Sequence, residues 1–149
     1  MELKILQILK DVRLVAIDSS PVIYYIEENE KYIKVLDPLF TLVNEGNINA
    51  YTSYITLIEV LTKPIEVGDD ELIEKYDNLL TNSENFTLFE LNREVAVKSA
   101  KLRAQYSIRT PDAIQLSIAI INGAELFITN DTNLRKVKDI KVVVLDDLL

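Results

Sequence analysis

The sequence predicts an α/β fold, a three-layer α/β/α sandwich around a mostly parallel central sheet of about five strands. Short apolar runs of strand type, at 14–17, 48–52, 86–91, 126–129 and 141–145, are separated throughout by segments of helical period. Strands joined by helices pair in parallel and are covered on both faces. The segment Arg109 to Ala124, RTPDAIQLSIAIINGA, is apolar almost all round, the pattern of a helix buried against such a sheet.

In order along the chain, residues 3–11 read as a short helix, an extra element within 1–13. Leu14 to Ile17 is the first strand, ending in Asp18-Ser19-Ser20-Pro21, and Pro21 is expected to open a helix over 22–28. Residues 31–45 are helical by period, with Asp37-Pro38 expected to break and restart the helix. Ser53 caps a helix over 54–63 that Pro64 should terminate, and Asp69 or Asp70 caps the next, over 71–80. Asn92 caps a long helix to about Tyr106. Thr110 is expected as N-cap and Pro111 as first residue of the central helix, with Gly123 ending it. A short helix follows Asp131. Without repeats, low-complexity tracts or linkers, the 149 residues read as one domain, 1–149.

Composition narrows the chemistry. No apolar run approaches the roughly 18 residues of a membrane span, and the N-terminus lacks the features of a signal peptide. The absence of cysteine excludes disulfides and thiolate sites, and fits a reducing cytosol. The absence of histidine excludes the Ser-His-Asp triad, zinc–imidazole sites and an imidazole base. Acid–base or metal chemistry must therefore run through carboxylates, of which there are 24 against 16 basic residues, a net charge of −8.

Four acids stand out. Asp18 is the first residue past the first strand, and Asp131 is two past the strand ending at Thr129. Asp112 lies in the first turn of the central helix, and Glu59 sits inside helix 54–63, at the border of its buried face or within it. Ligands of open α/β sheets bind outside the carboxyl ends of the strands, where these residues can converge. Each singly also suits a helix start or a solvated helix face. Gathered together, they repel unless cations neutralise them, and oxygen-only ligands suit Mg²⁺ or Mn²⁺.

These residues carry a resemblance. Asp18-Ser19-Ser20 after the first strand, Glu59 within SYITLIEVL, Thr110-Pro111-Asp112-Ala113 and Ile128-Thr129-Asn130-Asp131 follow the order and spacing of PIN domains, most closely the VapC-like toxin ribonucleases. The resemblance covers roughly residues 14–145. It implies a Mg²⁺- or Mn²⁺-dependent, cytoplasmic endoribonuclease with Asp18, Glu59, Asp112 and Asp131 as catalytic and metal-binding residues, supported by Ser20, Thr110, Thr129 and Asn130. Thr129 and Asn130 match the family's Thr-Asn-Asp turn, which holds the last acid and can bond metal-bound water. It also implies an RNA substrate, a homodimer and a small antitoxin partner that places a basic residue in the acidic pocket. Asp112→Asn should then keep the fold, lose activity and relieve repulsion. Many members have asparagine two residues after the first acid, where this chain has Ser20, and fewer residues before that acid.

Affinity for RNA backbone comes largely from Lys and Arg, which an acidic protein must concentrate locally. Lys98, Lys101, Arg103 and Arg109 form one such run, and Arg135, Lys136, Lys138 and Lys141 another. Of these, Arg109, Arg135 and Lys136 are the expected RNA contacts. Apolar residues expected at the surface, Ile23, Tyr24, Tyr25, Ile55 and Leu61, offer a docking face for an antitoxin or a second copy. Two rival readings are a phosphoacceptor receiver domain and a non-catalytic PIN-like adaptor. The receiver needs adjacent acids after the first strand and a lysine after the last, where this chain has Ile17-Asp18-Ser19 and Asp146; the adaptor is expected to lack one of the four acids, and none is missing. Three scattered glycines exclude a dinucleotide-binding fingerprint.

Overall fold

The structure, a computed structural model, describes residues 3–149. Its order is α1 (Lys4–Leu9), β1 (Leu14–Ile17), α2 (Ser19–Ile26), α3 (Ile33–Asn44), β2 (Asn49–Ser53), α4 (Tyr54–Val67), α5 (Asp70–Thr81), β3 (Phe86–Phe89), α6 (Arg93–Tyr106), α7 (Thr110–Ile121), β4 (Leu126–Thr129) and β5 (Lys141–Val144). Short 3₁₀ turns follow β4 and β5, at Thr132–Lys136 and Leu145–Leu148. All strand pairings are parallel, in the order β3-β2-β1-β4-β5. The expected α/β sandwich is what forms.

Alternation along the central strands builds the two cores. Val15 and Ile17 of β1, with Leu126 and Ile128 of β4, face one core, shared with Val22, Leu36, Leu39, Phe40 and Tyr76. Ala16 and Phe127, one residue out of step, face the other core with Leu102, Leu116 and Ala119. Helices α1 to α5 contribute to the first core, and α6 and α7 cover the opposite face. Every residue of α7 from Asp112 to Ala119 is buried, as its sequence pattern predicts.

Several boundaries differ from the sequence expectation, and the reasons are physical. Helix α2 starts two residues before Pro21, because Asp18 caps it by accepting from the Ser19 N–H. Neither Pro38 nor Pro64 stops its helix. In α3 the buried stripe Val35, Leu36, Leu39, Phe40 and Val43 runs straight through Pro38, and its burial outweighs the roughly 3 kcal/mol cost of an interior proline. Helix α4 continues to Gly68, which ends it in the left-handed region at φ 72°. Beyond its chain neighbours, nothing packs within 4 Å of where a Gly68 Cβ would stand, so a side chain there meets only backbone strain. Gly68→Ala is expected to cost about 1 kcal/mol, read as a 2–4 °C lower Tm.

The expected surface of α2 and α4 also shifts. Ile23, Tyr24, Tyr25 and Leu61 are half-buried against the first core, and Ile55 against the α6–α7 side. Tyr24 stacks on Tyr32 and Tyr25 on Phe40. The large apolar residues of α4 left in solvent are instead Tyr54, Ile58, Ile65 and Val67. Of the expected N-terminal addition, 4–9 form α1, with Ile5 and Leu9 in the first core; Met1 and Glu2 lie outside the described residues.

Candidate active site: an acidic cleft at the strand ends

From β1 the sheet grows one way through β2 and β3, and the other way through β4 and β5. The order reverses between β1 and β4, and the carboxyl ends of those two strands carry Asp18 and Asp131. An open cleft of about 540 Å³ lies there, lined by Asp18, Ser19, Ser20, Ile23, Tyr24, Glu59, Arg109, Asp112, Asn130 and Asp131. The four sequence-selected acids, arriving from four separate elements, share this cleft.

Asp18 is the most constrained of them, with 8% exposure. Its N–H is tied to the Ile128 carbonyl of β4. One carboxylate oxygen accepts from the Ser19 N–H at 2.9 Å, the other from the Thr129 hydroxyl at 2.8 Å. Burial pushes its carboxyl up to about 6, against the lowering effect of those two bonds, and neighbouring Asp112 and Glu59 push it further the same way. Thr129, fully buried, also accepts the Asp131 N–H at 3.1 Å, so one hydroxyl joins the first acid to the last. Asp131 in turn caps the following 3₁₀ turn through the Asn133 N–H.

Asp112 is buried too, at 6% exposure, yet it has a cation beside it. Arg109 Nε donates to one of its oxygens at 3.0 Å and Nη2 to the other at 3.4 Å, while the arginine side chain remains 73% exposed. Arg109, not Thr110, is the N-cap residue of α7, so Thr110 becomes the first helical residue and its exposed side chain caps nothing. Glu59 stands exposed at the rim, held by the Ser19 hydroxyl at 2.7 Å.

The remaining candidates divide. Ser20 lines the cleft. Asn130 lines it as well, but donates to the Tyr32 hydroxyl and accepts the Asp146 N–H, and Tyr32 donates to Asp146. That triangle fastens the C-terminal turn, so this asparagine serves the fold as well as the cleft. Arg135 and Lys136 lie outside the cleft lining, and Arg135 is paired with Asp147 at 2.6 Å. Sequence reading missed Ser19, Thr56 and Gln115. Gln115 carried a signal, since a polar residue inside an all-buried apolar helix must find partners there.

An all-oxygen set of carboxylates in one cleft suits a hard divalent cation in donor chemistry. Among the described residues, no three acidic side chains stand in an arrangement that holds an ion, and Asp112 is turned onto Arg109. For Asp112 to contribute to such an ion, its carboxylate must turn from Arg109.

The chain aligns with three solved toxin–antitoxin structures: VapBC2 from Rickettsia felis bound to a promoter DNA fragment (TM-score 0.70, 17% identity, 88% of this chain and 98% of that one), DNA-bound VapBC from Salmonella typhimurium (0.64, 15%, 89% and 98%) and a toxin–antitoxin complex from Klebsiella pneumoniae (0.63, 18%, 88% and 97%). At these identities the likeness is one of fold. No curated protein sequence matches the chain. The model of the PIN domain matches residues 15–140, nearly the whole molecule, and the chain belongs to the PIN domain family.

Proposed function

We propose that this chain is a Mg²⁺- or Mn²⁺-dependent endoribonuclease, the toxin of a toxin–antitoxin pair, with Asp18, Glu59, Asp112 and Asp131 as its catalytic and metal-holding residues. The observation that carries this reading is the meeting of those four acids in one cleft at the sheet's switch point. A bound divalent cation would supply activated water and neutralise charge developing on the phosphate, work that a chain without histidine cannot give to an imidazole. Asp18 is the anchor, its carboxylate fixed at both oxygens. Glu59 reaches in from the rim, Asp131 is set by its own turn, and Asp112 joins once Arg109 leaves it. The freed Arg109 guanidinium, still at the cleft, is then available to the substrate phosphate.

Arg109→Gln should therefore act in two directions. Its exposed ion pair is worth about 0.2–1 kcal/mol, so Mn²⁺ affinity should rise up to about fivefold. KM for RNA should rise as well, because the phosphate contact is gone. Calorimetric Mn²⁺ titration and steady-state kinetics read the two effects separately.

We take the chain as one PIN-like unit over 1–149, with 1–13 an addition to it, acting in the cytoplasm. Among the described residues no helix is long and apolar enough to cross a membrane. An antitoxin partner is suggested by the structural neighbours, which are toxin–antitoxin complexes. The solvent-facing stripe of Tyr54, Ile58 and Ile65 on α4 is the surface that an antitoxin or the second subunit of a homodimer would cover. One observation favours the rival adaptor: Asp112 already has its cation in Arg109. Cleavage of a mixed tRNA and mRNA pool with Mg²⁺ or Mn²⁺, with EDTA and beside Asp112→Asn separates the two. Metal-dependent cutting that the variant lacks supports the nuclease; no cutting by folded protein in any metal favours the adaptor.

A further inference from the structure

A chain of side-chain hydrogen bonds among buried residues leads to Glu59 from Ser53, at the junction of β2 and α4, by way of Gln115 on α7. Ser53 Oγ accepts the Ile55 N–H at 3.1 Å, which leaves its own proton for Gln115 Oε1 at 2.6 Å. That fixes the Gln115 amide, whose Nε2 donates to Thr56 Oγ1 at 2.6 Å. Thr56 Oγ1 also lies 2.7 Å from Thr52 Oγ1 and 3.1 Å from Ser19 Oγ, and Ser19 Oγ donates to Glu59 Oε1 at 2.7 Å.

Each hydroxyl has one proton, so the sense of the chain is determined. Ser19 spends its proton on Glu59, so the proton between Thr56 and Ser19 belongs to Thr56. Thr56 has then none left, so Thr52 donates to Thr56. Every bond points toward the carboxylate, and successive donors polarise one another in the same sense. Ser53, Gln115, Thr56, Thr52 and Ser19 are all buried, and among the described residues no buried side-chain N or O lacks a partner. Glu59, by contrast, is exposed, and solvent alone would not select its rotamer.

We infer that Ser19 and Gln115 are positioning residues: the Gln115–Thr56–Ser19 chain orients a rim glutamate that would otherwise sample solvent, and so sets the cleft's affinity for a divalent cation. This rests on the metal-dependent reading above.

The test is Mn²⁺ binding by titration calorimetry to folded full-length protein, with Tm recorded for each variant. Ser19→Ala should weaken Mn²⁺ binding about tenfold, as loss of an outer-shell partner does, and Ser19→Thr should stay within twofold of wild type. Gln115→Met should weaken it about threefold or more, and the Ser19→Ala/Gln115→Met double variant should match Ser19→Ala alone, because Gln115 acts through Ser19. If Gln115→Met does not fold, Thr56→Val takes its place in the cycle. A Ser19→Ala protein that binds like wild type overturns the inference, and so do effects that multiply in the double variant. Wild type that binds no Mn²⁺ overturns the metal-dependent reading itself, and this inference with it.

Discussion

Asp18→Asn is expected to cut RNA about 10³-fold more slowly than wild type, since losing several kcal/mol of metal-centred stabilisation costs a factor of ten per 1.4 kcal/mol. In EDTA at neutral pH the same protein should melt above wild type. The wild-type carboxyl titrates near 6 in the fold against 3.8 unfolded, chiefly because burial disfavours its charged form. The folded state thus holds the proton more tightly. Its contribution to stability is fully present below the unfolded value and lost as pH rises from about 4 to about 6. About two pH units correspond to about 3 kcal/mol. Asparagine recovers only part, about 1–2 kcal/mol, because its single oxygen cannot accept from both the Ser19 N–H and Thr129. Calorimetric scans in EDTA across pH 4–7.5 should show wild type losing stability through that window and Asp18→Asn nearly flat. Asp112→Asn should lose activity without the gain that the sequence alone suggests, because Arg109 already pairs with Asp112.

Thr129→Val should be the most damaging near-isosteric change beneath the acidic cleft. The hydroxyl donates to Asp18 and accepts the Asp131 N–H, and both bonds are buried or nearly so. Valine leaves a buried carboxylate with one partner and a backbone donor with none, a loss of about 3 kcal/mol. The Asp18 carboxyl should move above its value near 6, since one of the two bonds that lower it is gone. Chemical denaturation and ¹³C-detected titration of Asp18 check the two parts. An unchanged Asp18 titration would show that Thr129 does not hold that carboxylate.

Much of this architecture is legible in the sequence because burial leaves a plain trace. β1 and β4 fall where the apolar runs place them, Leu14–Ile17 and Leu126–Thr129, and α7 is buried as its composition requires. Local breaker rules misread Pro21, where the Asp18 cap starts the helix two residues earlier, and Pro38 and Pro64, which their helices run through. The four acids can be picked from positions past strand ends and in first turns. Their partners are harder to find. Thr129 reaching Asp18 spans 111 residues, and Gln115 reaching Thr56 spans 59, so both contacts exist only once the sheet order is known. Arg109, expected as an RNA contact, also pairs with Asp112, a partner that its spacing three residues earlier makes reachable.

Anomalous scattering from Mn²⁺-soaked crystals addresses the acidic cleft most directly. The expected result is a strong peak bonded to Asp18 and to at least one of Glu59, Asp112 and Asp131, with Arg109 turned away from Asp112. Peaks confined to surface carboxylates, with the Arg109–Asp112 pair intact at millimolar Mn²⁺, would contradict a metal-dependent nuclease centred on this cleft.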